Sequence, residues 1–162
     1  MDQLSIRKDL RPGDLGWILY QHGVRYAADK GYDLDFEKDI AESMILFIEE
    51  FRRGHAGIWI AEQEKQIVGS IAVIPISETE AAIRWILVVP DFQGKGIGSK
   101  LMDMALNFCK CNDFSSVHCC QVASDSPGIA LYESKGFRLV SECMVDQWGQ
   151  SWSSRHYTLR LI

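Results

Sequence analysis

The most constraining feature of the chain is a run with glycine at every second position, Gln93-Gly94-Lys95-Gly96-Ile97-Gly98, set between segments of opposite periodicity. Before it, residues 81–89, apolar except for Arg84, read as a buried strand. After it, Ile97, Leu101, Met104, Ala105 and Phe108 recur at helical spacing, and residues 117–122 return to a strand pattern. Strand, helix, strand is a crossover unit, with the glycines at the turn from the first strand into the helix.

Such a turn is a place to bind phosphate. Glycines let backbone N–H groups converge on an anion, and the helix N-terminus adds the equivalent of about half a positive charge. Gly94, Gly96 and Gly98 supply that access. The spacing is neither the G-x-G-x-x-G of dinucleotide-binding folds nor the Gly-Lys-Ser/Thr ending of a P-loop. A glycine-rich turn that binds nothing is the other reading of these residues alone.

The remaining elements follow from punctuation and period. Residues 5–8 read as a short strand, and Arg11-Pro12-Gly13 as a breaker. Leu15, Ile18, Leu19, His22 and Tyr26 form one face of a helix that Gly31 ends. Asp35 is the expected N-cap of a second helix, with Phe36, Ile40, Met44, Phe47, Ile48 and Phe51 on its apolar face and a stop before Gly54. Residues 58–62 and 67–76 read as a hairpin. A short helix is expected over 127–135, capped by Ser126, with Pro127 first and Gly136 ending it in a left-handed conformation. Two strands follow, near 137–144 and 155–161. The sum is a mixed α+β sheet with helices on its faces. No repeat or linker divides the 162 residues, so a single domain over 1–162 is expected.

Composition excludes several classes. No apolar run approaches the roughly 20 residues that span a bilayer, so no membrane partner is expected. Residues 1–11 lack the basic flank and apolar centre of a secretory signal, which points to the cytoplasm. The odd number of cysteines, with Cys109-x-Cys111 and Cys119-Cys120 spacings unlike a zinc knuckle, reads as reduced thiols and no metal. A net charge of −5 without a dense Lys/Arg cluster argues against nucleic acid. It suits a cationic acceptor, or simply a soluble surface.

The stretch Val88-x-Pro90-x-x-Gln93-Gly94-Lys95-Gly96-Ile97-Gly98 resembles the acetyl-CoA pyrophosphate loop of the GNAT superfamily of N-acetyltransferases. Further on, Ala130-Leu131-Tyr132-Glu133-Ser134-Lys135-Gly136-Phe137 resembles that family's second signature, with its Leu-Tyr-x-x-x-Gly-Phe core. The likeness runs from Ile6-Arg7 to Tyr157-Thr158-Leu159. Arg11-Pro12-Gly13-Asp14-Leu15-Gly16-Trp17, His22-Gly23, Trp59-Ile60-Ala61-Glu62 and Trp148-Gly149 are similar to bacterial members found alone or fused to MarR-type regulators.

The resemblance implies a three-layer fold: a mixed, mostly antiparallel twisted sheet of about six or seven strands, with about four helices on its faces. It implies acetyl-CoA as cosubstrate, a small-molecule or protein amine as acceptor, and a possible homodimer. For the site, Gln93, Gly94, Lys95, Gly96, Ile97, Gly98 and Ser99 are expected to hold the pyrophosphate. Ile86, Leu87 and Val88 are expected to face the pantetheine arm and the reacting carbonyl. Tyr132 is the expected general acid, because a departing thiolate needs a proton or hydrogen bond. Asp125 stands where many relatives have asparagine, and either contacts the cofactor or only caps the helix.

The implied reaction is direct attack of the amine on the thioester in a ternary complex. No base is marked. Glu78 and Glu80 precede the strand to Val88, His22 reads as a packed histidine, and Asp33 and Glu37 are weaker candidates. A coenzyme-A-binding sensor without turnover is the alternative. A cysteine nucleophile is discounted: in a strand one of Cys119 and Cys120 points inward as a small apolar side chain, and His118 faces away from its neighbours.

Overall fold

Period-two alternation along the central strands builds two hydrophobic cores on opposite faces of one sheet. Residues 3–161 are described by a computed structural model. Strand β1 is Ser5–Arg7, followed by helices α1 (Asp14–Lys30) and α2 (Leu34–Arg52). Strands β2 (Gly57–Gln63), β3 (Gln66–Pro75) and β4 (Glu80–Val88) come next, then a 3-10 turn at Pro90–Phe92 and helix α3 (Ile97–Cys111). Strand β5 (Ser116–Val122), helix α4 (Ser126–Ser134) and strands β6 (Arg138–Gln147) and β7 (Gln150–Arg160) complete the chain. The sheet order is β1-β2-β3-β4-β5-β7-β6, and β4–β5 is its parallel pair, as the α3 crossover requires.

On β2, Trp59 and Ala61 pack with Leu101, Met102 and Ala105 of α3, while Ile58 and Ile60 pack with Ile18 of α1 and Phe36, Ile40 and Phe47 of α2. The sheet is therefore the middle layer of three. No helix among the described residues is long and apolar enough to cross a membrane.

Three local expectations are corrected. The N-cap of α2 is Asp33, not Asp35: its carboxylate accepts the Asp35 N–H at 3.0 Å, so the cap lies two residues earlier. The N-cap of α4 is Asp125, not Ser126. On α3, Met104 is exposed whereas Met102, Leu106 and Cys109 are buried, because the sheet meets the helix along a line rotated from the stripe that period alone selects. The two terminal strands also run longer than expected and close into a hairpin through Trp148 and Gly149, both at positive φ (57° and 75°).

The start of α1 is tied to the sheet by a nearly enclosed ion pair. Asp14 accepts from both Arg7 guanidinium nitrogens at 2.7 and 2.8 Å and from the Arg11 N–H at 2.7 Å, and Arg7 also reaches Glu62 at 2.8 Å. Burial alone would raise the Asp14 carboxyl, but the Arg7 hydrogen bonds and charge outweigh it, and the group sits below its usual range. Asp14→Ala strands the Arg7 charge beside Glu62 and should lose about 3 kcal/mol in urea unfolding at pH 7. Because the folded carboxyl is depressed, its contribution is present above the unfolded value of about 3.9. It is lost as pH falls below that value and through the folded one, so the variant and the parent should converge in acid.

Candidate active site

The β4–β5 ladder has three rungs, Glu80 with Ser116, Ala81 with Val117 and Ala82 with His118. Both strands then continue unpaired with each other, β4 to Val88 and β5 to Val122, so the sheet forks in its middle. The cause is visible in β4. Ala81 and Ile83 belong to the core under α3, and strict alternation puts Trp85 there too. Trp85 instead takes φ 51° and packs edge-on against Phe47 at 5.2 Å in the core under α1 and α2. Ser70 pairs with Leu87 and Ala72 with Arg84, leaving Trp85 and Ile86 opposite Ile71 alone. This bulge bends β4, and the buried Ser70 hydroxyl fixes it by donating to the Trp85 carbonyl at 2.8 Å.

At the mouth of the fork lies the glycine turn. Gly94 and Gly96 have φ of 72° and 80°, which favour glycine, and a Cβ on either would meet no atom within 4 Å. The first backbone bond of α3 is from Lys100 N–H to the Gly96 carbonyl, at 3.1 Å. Ahead of it, the N–H groups from Gly94 through Ser99 donate to no protein acceptor among the described residues. An open cradle of unpaired donors on a helix N-terminus fits a pyrophosphate-sized anion. The Lys95 ammonium lies 4.8 Å above the Phe92 ring beside it. Gly98 lies deeper, in ordinary contact range of Leu131 and Val88, and serves the packing of α3 against α4 and β4.

Tyr132 sits at the vertex. It is 2 % exposed, T-shaped on Phe137 and stacked on Tyr157, and it lies beside Cys119, the first β5 residue past the last rung. Burial first, and then its neighbours Cys119, Tyr26 and Asp125, hold the phenol well above its ordinary value, opposed by Arg84 on β4. It stays protonated across the neutral range and is a hydrogen-bond donor there.

The other expected residues divide. The Val88 carbonyl accepts from Gln93 Nε2 at 3.0 Å and from Arg25 of α1 at 3.1 Å, so the Gln93 side chain shapes the turn. Asp125 caps α4 by accepting the Gly128 N–H and also accepts from Gln121. Glu80 meets Ser116 and His118 at the opposite end of β4, about 26 Å along the strand from Val88 at 3.3 Å per residue. Asp33 is committed as a cap, and Glu37 packs over Gly23 of α1. Cys119 is buried and Cys120 exposed, as strand alternation requires; burial raises the Cys119 thiol, which makes it a poor nucleophile.

His22 is buried and bonded through Nδ1 to the Ile18 carbonyl at 2.8 Å. Burial pushes it down to about 4, with the Arg25 charge adding to the effect and the Ile18 bond opposing it, so it is neutral and a weak base. A histidine held below its unfolded value of about 6.5 contributes stability that is full above that pH and lost as pH falls from there towards 4. Replacement by the uncharged isostere in His22→Asn should remove most of the acid destabilisation between those limits, about 3 kcal/mol in the parent, as read from urea midpoints across pH.

Sequence reasoning missed Arg25, the Trp85 bulge and an aromatic cluster that joins α1 and α2 to the β6–β7 turn. In that cluster Tyr32 lies 5.0 Å from Trp148, and Trp148 stacks on Trp152 at 5.1 Å. The sequence singles out the Trp148-Gly149 pair only within the family resemblance, with no sign of these contacts.

Comparison with known proteins agrees with this geometry. The profile of the acetyltransferase (GNAT) family matches residues 32–137. The chain is 30% identical over 128 residues to an uncharacterised N-acetyltransferase, YjgM, of Escherichia coli, covering 76% of this chain and 74% of that protein. It is 26% identical over 131 residues to rat N-acetyltransferase family 8 member 3, covering 78% of this chain but only 54% of that protein, so it spans about half the length of this relative. The fold matches that of a Salmonella typhimurium acetyltransferase solved with acetyl-CoA, with TM-score 0.77 at 16% identity over 98% of this chain and 94% of that one. With the forked strands and the glycine cradle both inside the matched residues, this chain belongs to the acetyltransferase (GNAT) family.

Proposed function

We propose that the protein is an N-acetyltransferase that binds acetyl-CoA in the β4–β5 fork and passes its acetyl group directly to an amine. The observation that carries the reading is the fork itself: three rungs, then two separated strands, with open N–H donors at the mouth and Tyr132 at the vertex. The Gly94–Ser99 donors take the pyrophosphate, and the unpaired edges of Ile86 and Val88 accept the extended pantetheine arm. Pantetheine pairing at the Val88 carbonyl requires Arg25 or Gln93 to withdraw, since both occupy it here.

The amine nitrogen attacks the thioester carbonyl, and a backbone N–H near Leu87 or Val88 steadies the tetrahedral oxyanion. The nitrogen gives up its extra proton, the C–S bond breaks, and the sulfur leaves with the electron pair, taking up that proton directly or through water. With its pKa held high, Tyr132 serves this step chiefly as a short-range hydrogen-bond donor to the developing thiolate. The amine attacks as the free base. Burial at the fork disfavours the charged ammonium and so favours the neutral form.

The deciding experiment is calorimetric titration with acetyl-CoA and CoA, followed by thiol release against a panel of amines. Binding with amine-dependent release supports the transferase. Binding without release for every amine supports a sensor instead, and absence of binding to both ligands removes the proposal.

A further inference from the structure

A cavity of about 390 Å³ opens next to the fork, between the end of α1, the end of β5 and the start of β7. That volume suits a small molecule. Two of its lining side chains carry buried polar atoms with no hydrogen-bond partner among the described residues, the Tyr32 hydroxyl and Trp152 Nε1. Tyr32 is only 5 % exposed. An orphaned buried donor is costly, and such groups are rare in folded proteins.

The contrast with the neighbouring indole is informative. Trp148 and Trp152 stack at 5.1 Å, and Trp148 gives its N–H to Asp39 at 2.7 Å. The fold supplies a carboxylate to one indole of the pair and none to the other, and it is the unpaired one that lines the cavity. An indole nitrogen can only donate. Burial pushes the Tyr32 phenol up to about 12, so it too remains a donor at neutral pH. Lys30 lines the same cavity, its ammonium 2.8 Å from Ser124 Oγ, and Asp29 sits beside it. The cavity therefore offers a cation and one carboxylate at its surface, and behind them two enclosed donors that an acceptor group reaches only once the side chains over them part.

Its position connects it to the chemistry. Val122, Ala123 and Ser124 continue directly from the strand that lines the fork. Tyr26 stacks on Tyr32 at 5.8 Å and is also close enough to Tyr132 to raise its phenol.

We propose that this cavity binds the acetyl acceptor, and that the acceptor is a small amine carrying a carboxylate, a free amino acid, held by Trp152 Nε1, the Tyr32 hydroxyl and Lys30. The proposal rests on the transferase reading for its chemistry but not for its binding. Asp29 faces the ammonium as the molecule enters, and the amine then passes its proton to water before attack. An amine without the carboxylate leaves both orphaned donors unpaired.

The test uses matched pairs: alanine with ethylamine, ornithine with putrescine, and phenylalanine with phenethylamine. Each is titrated into the protein saturated with CoA, which forms a ternary complex without turnover, and into the protein alone. Thiol release with acetyl-CoA is then measured for each. In at least one pair the amino acid should bind at least about tenfold more tightly than its partner and show the lower KM. Trp152→Phe and Tyr32→Phe keep the rings, and each should erase most of that preference while leaving acetyl-CoA affinity unchanged, which also shows that the variants are folded. Equal or weaker binding of the amino acid in every pair overturns the proposal, as does a preference that survives both substitutions. Failure of acetyl-CoA to bind would remove the transferase reading separately, and the titrations into the protein alone would still decide the cavity.

Discussion

Gly96→Glu should abolish measurable acetyl-CoA binding, raising Kd at least about a hundredfold in calorimetry while the protein stays folded. The two halves of that expectation have different causes. A Cβ at Gly96 meets no protein atom within 4 Å, so the substitution crowds nothing in the fold. Its local cost is the left-handed backbone, φ 80° here, which penalises a residue with a side chain by roughly 1–2 kcal/mol. The empty space is the cradle itself. A carboxylate placed there excludes the pyrophosphate, repels it, and forfeits charge-assisted hydrogen bonds of about 1.5–3 kcal/mol each. A hundredfold loss corresponds to only about 2.7 kcal/mol, less than two such bonds. Gly98→Ala is the contrasting case: its Cβ meets Leu131 and Val88 at ordinary distances of 3.4 and 3.8 Å, and cofactor affinity should change little. Tight binding by the Gly96 variant would refute the placement of the pyrophosphate on this turn.

Tyr132→Phe should lower kcat about a hundredfold and leave the acetyl-CoA Kd within about twofold. The ring is packed between Phe137 and Tyr157, and phenylalanine keeps that packing. What disappears is the hydroxyl at the vertex of the fork, the donor proposed for the departing sulfur. Because that interaction strengthens as charge builds on sulfur, its loss appears in kcat and kcat/KM alike, with ground-state binding spared. The solvent pH profile should lack an alkaline limb from this phenol within the neutral range, since burial holds its pKa well above ordinary. If single-turnover chemistry is equally fast in both proteins, Tyr132 has no part in thiolate departure.

The elements of the fold were legible because each is specified within a few residues of chain. The glycine turn, the α3 period and the Leu131-Tyr132 signature lie in continuous segments, and the structure arranges them as strand, cradle, helix and vertex. Errors of detail arose where a neighbour in space chose between two local options. Asp33 and Asp35 are both competent caps, and the helix began at the earlier. Met104 and Met102 are both apolar, and the angle at which α3 meets the sheet buried Met102.

Other features had no local signal. Arg25 and Val88 are 63 residues apart and meet only because α1 crosses the mouth of the fork. The residues around the cavity come from three separated stretches of chain, and nothing near Trp152 in sequence tells that its N–H will be left without a partner.

By itself, then, the amino-acid sequence determined the order of strands and helices, the crossover, and the glycine turn that opens α3, because periodicity and backbone freedom are properties of short segments. Only the tertiary structure decided where the sheet parts. Residues 81–89 read as one unbroken strand, yet Trp85 crosses to the opposite core, where it packs on Phe47 and Ser70 holds its carbonyl. That bulge is a compromise between two cores competing for one side chain, and such a competition exists only once both are assembled.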